Sequence, residues 1–269
     1  MYRYLIFILL LSFPAASAQS PVRVVIPGPT PPFIVRNPFV EDLIKLIFSK
    51  QNLQLNLVYA SEKITQGRAL KELHDTDIID LTWSVSTTER ERELQPIRFP
   101  IYQGYIGWRV FIINKENQKI YNEISSLSQL KTKLAVQRFD WPDYQVFIEN
   151  KLPVHGDMPF SKMFKAIESG LADYFPRSVM EATRELKSYK SKQLAIEKTL
   201  LLKYPSKYYF FVANNKPELA TVIKTGFELI LADGSYQILF QQHFGSTLEA
   251  LNLNERRVFN LRNPLQSIE

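Results

Sequence analysis

Apolar residues follow two alternating rhythms along this chain. "PVRVVIPG", residues 21–28, is β-rich and closes on Pro27-Gly28, so it predicts a strand running into the loop "PGPTPPF". Beyond Pro38, the residues Phe39, Val40, Leu43, Ile44 and Ile47 return at helical spacing. "LQLNLVYA" alternates as a strand does; Ala69, Leu70 and Leu73 mark a short helix ending near His74, and "DIIDLTWSV" is a further strand. Strand then helix, repeated, predicts an α/β domain with largely parallel strands.

"YIGWRVFIIN" is the next apolar strand, and "KENQKIYNEISS" after it reads as a connection. A second α/β unit starts at "KLAVQ". Its best helix begins near Ser161, carries Met163, Phe164 and Ile167 on one face, and stops at Gly170. "ADYFPRS" reads as a short strand or strand end, because Pro176 has no N–H to donate within a sheet. "YYFFVANN" is a strand, followed by a helix that opens at Pro217 and stops at Asp233-Gly234. A last helix runs from about Tyr236 to His243, and the tail "RRVFNLRNPLQSIE" is expected to pack across the first unit.

The first 18 residues combine one charge at Arg3, an apolar run from Leu5 to Phe13 too short to span a bilayer, and small residues at Ala16 and Ala18. That is the pattern of a cleaved secretory signal, and it places the mature chain in the periplasm. With no cysteine there is neither a disulfide nor a lipid-anchoring thiol. The net charge of +6 is spread among acidic residues without an arginine-rich tract, which excludes nucleic acid as the expected partner. His74, His155 and His243 lack partners at metal-ligand spacing, so no metal and no cofactor is expected.

The ordered segments "PPF" (31–33), "TTER" (87–90), "RFPIY" (98–102), "LAVQ" (134–137), "KAIESGLAD" (165–173) and "ELATVIKTGFELILADGSYQILFQQHFG" (218–245) resemble the bacterial extracellular solute-binding proteins of the amino-acid type, receptors serving ABC importers. The resemblance implies an α/β, two-lobed periplasmic-binding-protein-like fold (type II), with a ligand cleft between the lobes. By that pattern, residues 19–112 plus 210–269 form lobe one and residues 113–209 form lobe two. It further implies a monomer that holds a small carboxylate-bearing solute and presents it to an ABC permease. The rival readings are a sensor docking on a membrane signalling protein and a lyase or dehydratase on the same fold. No nucleophile motif supports the enzyme.

In the family the arginine of the "T-x-E-R" segment clamps a ligand carboxylate, and here that residue is Arg90, with Thr87 as a hydroxyl donor or helix cap. A guanidinium fork matches two carboxylate oxygens. The competing reading pairs Arg90 with Glu91 or Glu93 on a solvated face. Phe33, Trp83, Tyr102 and Phe139 are candidate cleft aromatics. Where the family carries a hydroxyl five residues before the clamp, this chain has Val85, flanked by Ser84 and Ser86. After "V-x-Q" it reads "RFDW", which puts Asp140 where a hydroxyl is usual and leaves the helix-terminal anion nest in doubt. The family's ammonium-binding aspartate maps to Ser178, next to Arg177. Two readings follow: Asp140 or Glu181 receives an ammonium, or an acidic or aromatic carboxylate bridges Arg90 and Arg177. Arg177 can instead form an internal salt bridge with Glu181 or Glu185.

Overall fold

The computed structural model describes residues 20–28, 37–61, 64 and 66–266. The expected secretory segment and Phe33 lie outside the described residues. Strand β1 (Val22–Ile26) leads through helix α1 (Pro38–Ser49) to β2 (Leu55–Tyr59), its parallel neighbour. Helix α2 (Gln66–Asp75) then feeds β3 (Leu81–Val85), and the short α3 (Thr88–Glu93) is followed by β4 (Gln95–Ile97). Asp80 joins β1 to β3: its backbone N–H donates to Val25 O at 2.9 Å, and its carboxylate accepts the Val25 N–H at 2.8 Å.

The chain then leaves this sheet. From Trp108 onward β5 (Trp108–Asn114) belongs to a second sheet, together with the connections α4 (Gln118–Asn122) and α5 (Leu127–Leu130). Next come β6 (Ala135–Val136), α6 (Pro142–Glu149), β7 (Val154–His155), α7 (Phe160–Glu168), β8 (Tyr174–Ser178), α8 (Ala182–Tyr189), β9 (Leu194–Ile196) and β10 (Leu200–Lys203). The chain returns through residues 204–207 to β11 (Tyr208–Val212), which lies antiparallel between β3 and β4. Helices α9 (Pro217–Ala232) and α10 (Ser235–Ala250) complete the first unit, with α1 packed against both. The α10 helix continues past the expected stop at His243, because Phe240, Phe244 and Leu251 are all buried in the same core as Phe39.

Two sequence expectations need correction. Residues 118–122, read as a connection, form a helix that buries Tyr121, whose hydroxyl donates to Asp173 O at 3.0 Å. Of the two readings of residues 172–178, the short strand holds: Pro176 sits inside the fully buried β8. The β6 to β8 ladder stops at Ala135 opposite Tyr174, and the Gln137 side chain donates to Pro176 O at 3.0 Å where a strand amide would otherwise reach. The tail does not join the first sheet. Its strand β12 (Arg257–Asn260) pairs in parallel with β10 on the edge of the second sheet. Arg256 fixes that start, since its buried guanidinium donates to Leu251 O, Glu197 O and Leu200 O.

The two crossing segments touch at Gly107. Tyr204 N–H donates to Gly107 O at 3.1 Å, and a Cβ on Gly107 would lie 2.1 Å from Tyr204 O and 2.9 Å from Ser206 Cβ. Backbone meets backbone there, so no rotamer change relieves the clash. Gly107→Ala is expected to lower stability by about 1–3 kcal/mol, read as an earlier urea midpoint at unchanged m-value.

Candidate functional site

At the carboxyl end of β3, Thr87 takes an extended conformation and its hydroxyl oxygen accepts the Arg90 N–H at 3.2 Å. Thr87 is thus the N-cap that starts α3, as a threonine before "TERE" favours. The turn directs the Arg90 side chain back onto the strand, where Nη1 donates to Ser84 Oγ at 2.9 Å and to Val85 O at 2.7 Å. Arg90 is half-buried, and burial pulls its guanidinium below its ordinary range, opposed by the negative charges of neighbours that include Asp143 of the second unit. Among the described residues no carboxylate lies within ion-pair distance of it. Glu91, a rival partner in the sequence reading, instead binds Ser86 Oγ and Arg98 Nε, the latter at 2.8 Å.

A hollow of about 370 Å³ opens beside the same turn, bordered by Ser86, Thr87, Arg92, Arg98 and Lys207 and closed by Leu265 and Gln266 of the tail. Gln266 Nε2 donates to Ser86 O at 3.2 Å.

The charges of the second unit are paired among themselves. Arg109, only 2 % exposed within the apolar β5, donates from Nη2 to Asp143 Oδ1 at 2.5 Å and from Nε to the Tyr204 hydroxyl at 2.8 Å. That hydroxyl in turn donates to Asp143. Burial pushes the Tyr204 hydroxyl well above its ordinary range. Burial alone would lower Arg109, but Asp143, Tyr204 and Glu181 reverse the effect and its pKa rises. Asp143 follows Pro142 in the first turn of α6, so the helix end where the family receives a ligand carboxylate holds one of the chain's own.

Arg177 belongs to the same network. Its Nε and Nη2 form a fork on Glu185 at 2.6 Å each, and Nη2 lies 3.0 Å from Glu181. The guanidinium also faces the rings of Trp141, Phe175 and Phe160 at 5.0, 5.2 and 5.6 Å. The expectation that Arg177 meets a ligand anion gives way to the internal salt bridge, since two acids already claim its donors. Asp140 is likewise taken, in a bidentate pair with Arg138 at 2.7 and 2.6 Å on an exposed turn, and is not free to receive an ammonium. Phe139 beside it is 61 % exposed, and Ser178 is buried with its hydroxyl donating to Tyr105 O at 3.3 Å.

The structure therefore brings Arg90, Ser84 and Thr87 together at one turn. Tyr102 is buried, accepts the Asn37 side-chain amide at 2.7 Å and lies 5.2 Å from the ring of Tyr208, which stands opposite Val85 in the sheet. Burial raises its hydroxyl to about 12. Trp83 turns its edge to Phe210 at 6.4 Å, within the core of the first unit. Arg109, Asp143 and Tyr204 escaped the sequence reading. The signals present were a lone cation inside an apolar strand and an acid placed directly after a helix-starting proline.

No family model matches the chain, and no curated protein matches it. Solved structures do. An ancestral arginine-binding protein bound to arginine aligns over 84 % of this chain and 99 % of its own, at 20 % identity and a TM-score of 0.60. The GluR0 ligand-binding core from Nostoc punctiforme, in complex with L-glutamate, aligns over 83 % and 99 % at 18 % identity and 0.58. An ancestral amino-acid-binding protein, precursor of a cyclohexadienyl dehydratase, aligns over 83 % and 95 % at 17 % identity and 0.57. This is the fold of the two-lobed solute-binding proteins. One unit carries the two-stranded sheet β1-β2 and the three-stranded sheet β3-β11-β4, and the other carries the seven-stranded sheet around β5 and β8.

Two outcomes follow from the charge network. Arg177→Ala leaves Glu185 buried without its fork and should cost about 3–5 kcal/mol of unfolding free energy, measured by urea titration. Glu181 has its pKa lowered, since Arg177, Arg109 and Arg184 outweigh its burial. A depressed carboxylate stabilises the fold above its unfolded value and loses that contribution as pH falls through the folded one. The stability gap between the natural chain and Glu181→Gln should thus be widest near neutrality and close below the ordinary glutamate value of 4.5.

Proposed function

We propose that this protein is an exported, monomeric receptor that captures a small carboxylate-bearing solute between its lobes and presents the closed form to the permease of an ABC importer. One observation carries the reading: Arg90, at the carboxyl end of the first-lobe strands, donates only to neutral oxygens and has no acid of its own among the described residues. Ligands in open α/β sheets bind at that end, and a half-buried guanidinium without a counter-ion gains from an incoming carboxylate. The amino acids named with the neighbouring structures agree with a carboxylate as the shared element.

Lobe closure is the event a permease would read, because a ligand that contacts both lobes favours the closed population. Export rests on the secretory pattern of residues 1–18. Among the described residues no helix is long and apolar enough to cross a membrane. The dehydratase-precursor neighbour keeps an enzyme in view. Against it, Asp143, Glu181 and Glu185 are each held in an ion pair with an arginine, so their oxygens are already engaged as acceptors.

A thermal-shift screen of the mature chain against amino acids, dicarboxylates, aromatic acids and uncharged solutes tests the reading. A carboxylate at a hundredfold excess over its dissociation constant adds about 2.7 kcal/mol of stability, and Arg90→Ala is expected to abolish that shift. An uncharged or cationic best hit, or an alanine variant that binds as well, overturns the clamp. Chromatographic turnover of the bound acid would make the protein an enzyme.

A further inference from the structure

The arginines near the lobe interface divide into two kinds. Arg109 and Arg177 are neutralised inside the second lobe by Asp143, Glu181 and Glu185. Arg90 and Arg184 form no ion pair among the described residues, although Arg184 contributes to the lowered pKa of Glu181. Arg184 occupies the first turn of α8, where the helix dipole disfavours a cation. Its Nε is buried and has no hydrogen-bond partner, and among the described residues no carboxylate stands within ion-pair distance of its guanidinium. A buried donor left open against a helix dipole has no structural benefit to offset it.

Arg184 also borders the first lobe. Val179, Met180 and Ala182, immediately before it, are buried in the same core as Tyr102 and Tyr208. Arg90 Nη1 donates to Val85 O, and Val85 stands opposite Tyr208 where β3 pairs with β11. With the two rings 5.2 Å apart, the unpaired arginines flank one tyrosine pair from opposite lobes. Among the described residues no free carboxylate stands at the same place to accept a ligand ammonium. Asp140 belongs to Arg138, Ser178 is buried under Tyr105 O, and the remaining interface acids belong to Arg109 and Arg177.

We infer that the solute carries two acid groups and no ammonium, a small dicarboxylate with one end on Arg90 and the other on Arg184. This rests on the receptor reading above and narrows its ligand class. An ammonium brought near two uncompensated guanidinium groups is repelled, whereas a second carboxylate is attracted. The site then differs from those of the neighbours crystallised with amino acids.

Matched pairs that differ only by the α-ammonium test the idea: succinate against L-aspartate, and glutarate against L-glutamate, titrated by calorimetry into the mature chain. Pentanoate serves as the one-ended probe. The dicarboxylate of at least one pair should bind at least tenfold tighter than its amino acid and at least tenfold tighter than pentanoate. Arg184→Met should shrink the preference over pentanoate at least tenfold, and Arg184→Lys should retain part of it. Should L-aspartate and L-glutamate both bind as tightly as their deaminated partners, the dicarboxylate assignment is wrong while the receptor reading stands. A preference left intact in Arg184→Met removes Arg184 from the site. If Arg90→Ala binds every acid as well as the natural chain does, the receptor reading itself falls.

Discussion

A guanidinium buried in an apolar strand must keep its counter-ion, and Arg109 imposes that condition on the junction of the two lobes. Its partners come from separate parts of the chain: Asp143 from the start of α6 and Tyr204 from the end of β10. Each hydrogen bond fixes one of these segments against β5, the strand that has just crossed from the first lobe. Compared with an apolar cluster of equal volume such a network adds little to stability, but losing one member leaves an uncompensated charge in a medium that solvates it poorly. Geometry is what the network supplies. It holds the α6 terminus and the return crossing in register beside Gly107, where the backbones are too close for a side chain.

The same requirement orders the rest of the interface. Once Asp143 serves Arg109, and Glu181 and Glu185 serve Arg177, the acids of the second lobe are committed. Two arginines keep no ion-pair partner among the described residues, Arg90 on one side and Arg184 on the other. On the proposed reading, selectivity would come from that arrangement of charges and not from any single residue's identity.

Much of the fold was legible in hydrophobic rhythm, because the elements that build the two sheets each bury one continuous apolar face. Phe39, Val40, Leu43, Ile44 and Ile47 announce α1, and all are buried. The failures have local causes. Pro176 left a short strand and a strand end open, because sequence alone does not show that Gln137 reaches across from the neighbouring strand. The tail was expected to pack across the first unit, as Gln266 does on Ser86; its pairing with β10 was not legible because "RVFN" carries no mark of its partner, and the carbonyls that receive Arg256 belong to distant segments. At the site, the local pieces were readable: Thr87 as a cap and Arg90 beside Ser84 all lie within one turn. Pairings across tens of residues were not. Arg177 was seen as both a ligand cation and a salt-bridge partner, and only the position of α8 decides between them.

This separation explains how a chain can share a fold at 20 % identity or less with proteins crystallised around amino acids and still present a different charge pattern to its ligand. The lobes depend on buried apolar area distributed over dozens of positions, which tolerates exchange of one apolar residue for another. Recognition of a charged group depends on a few side chains at one place, and a change there leaves the fold intact. Ser178, the position to which the resemblance assigns an ammonium-binding acid, is a buried serine that donates to Tyr105 O. In a two-lobed receptor the sheets report the mode of capture, while the balance between committed and uncommitted charges at their junction determines what is captured.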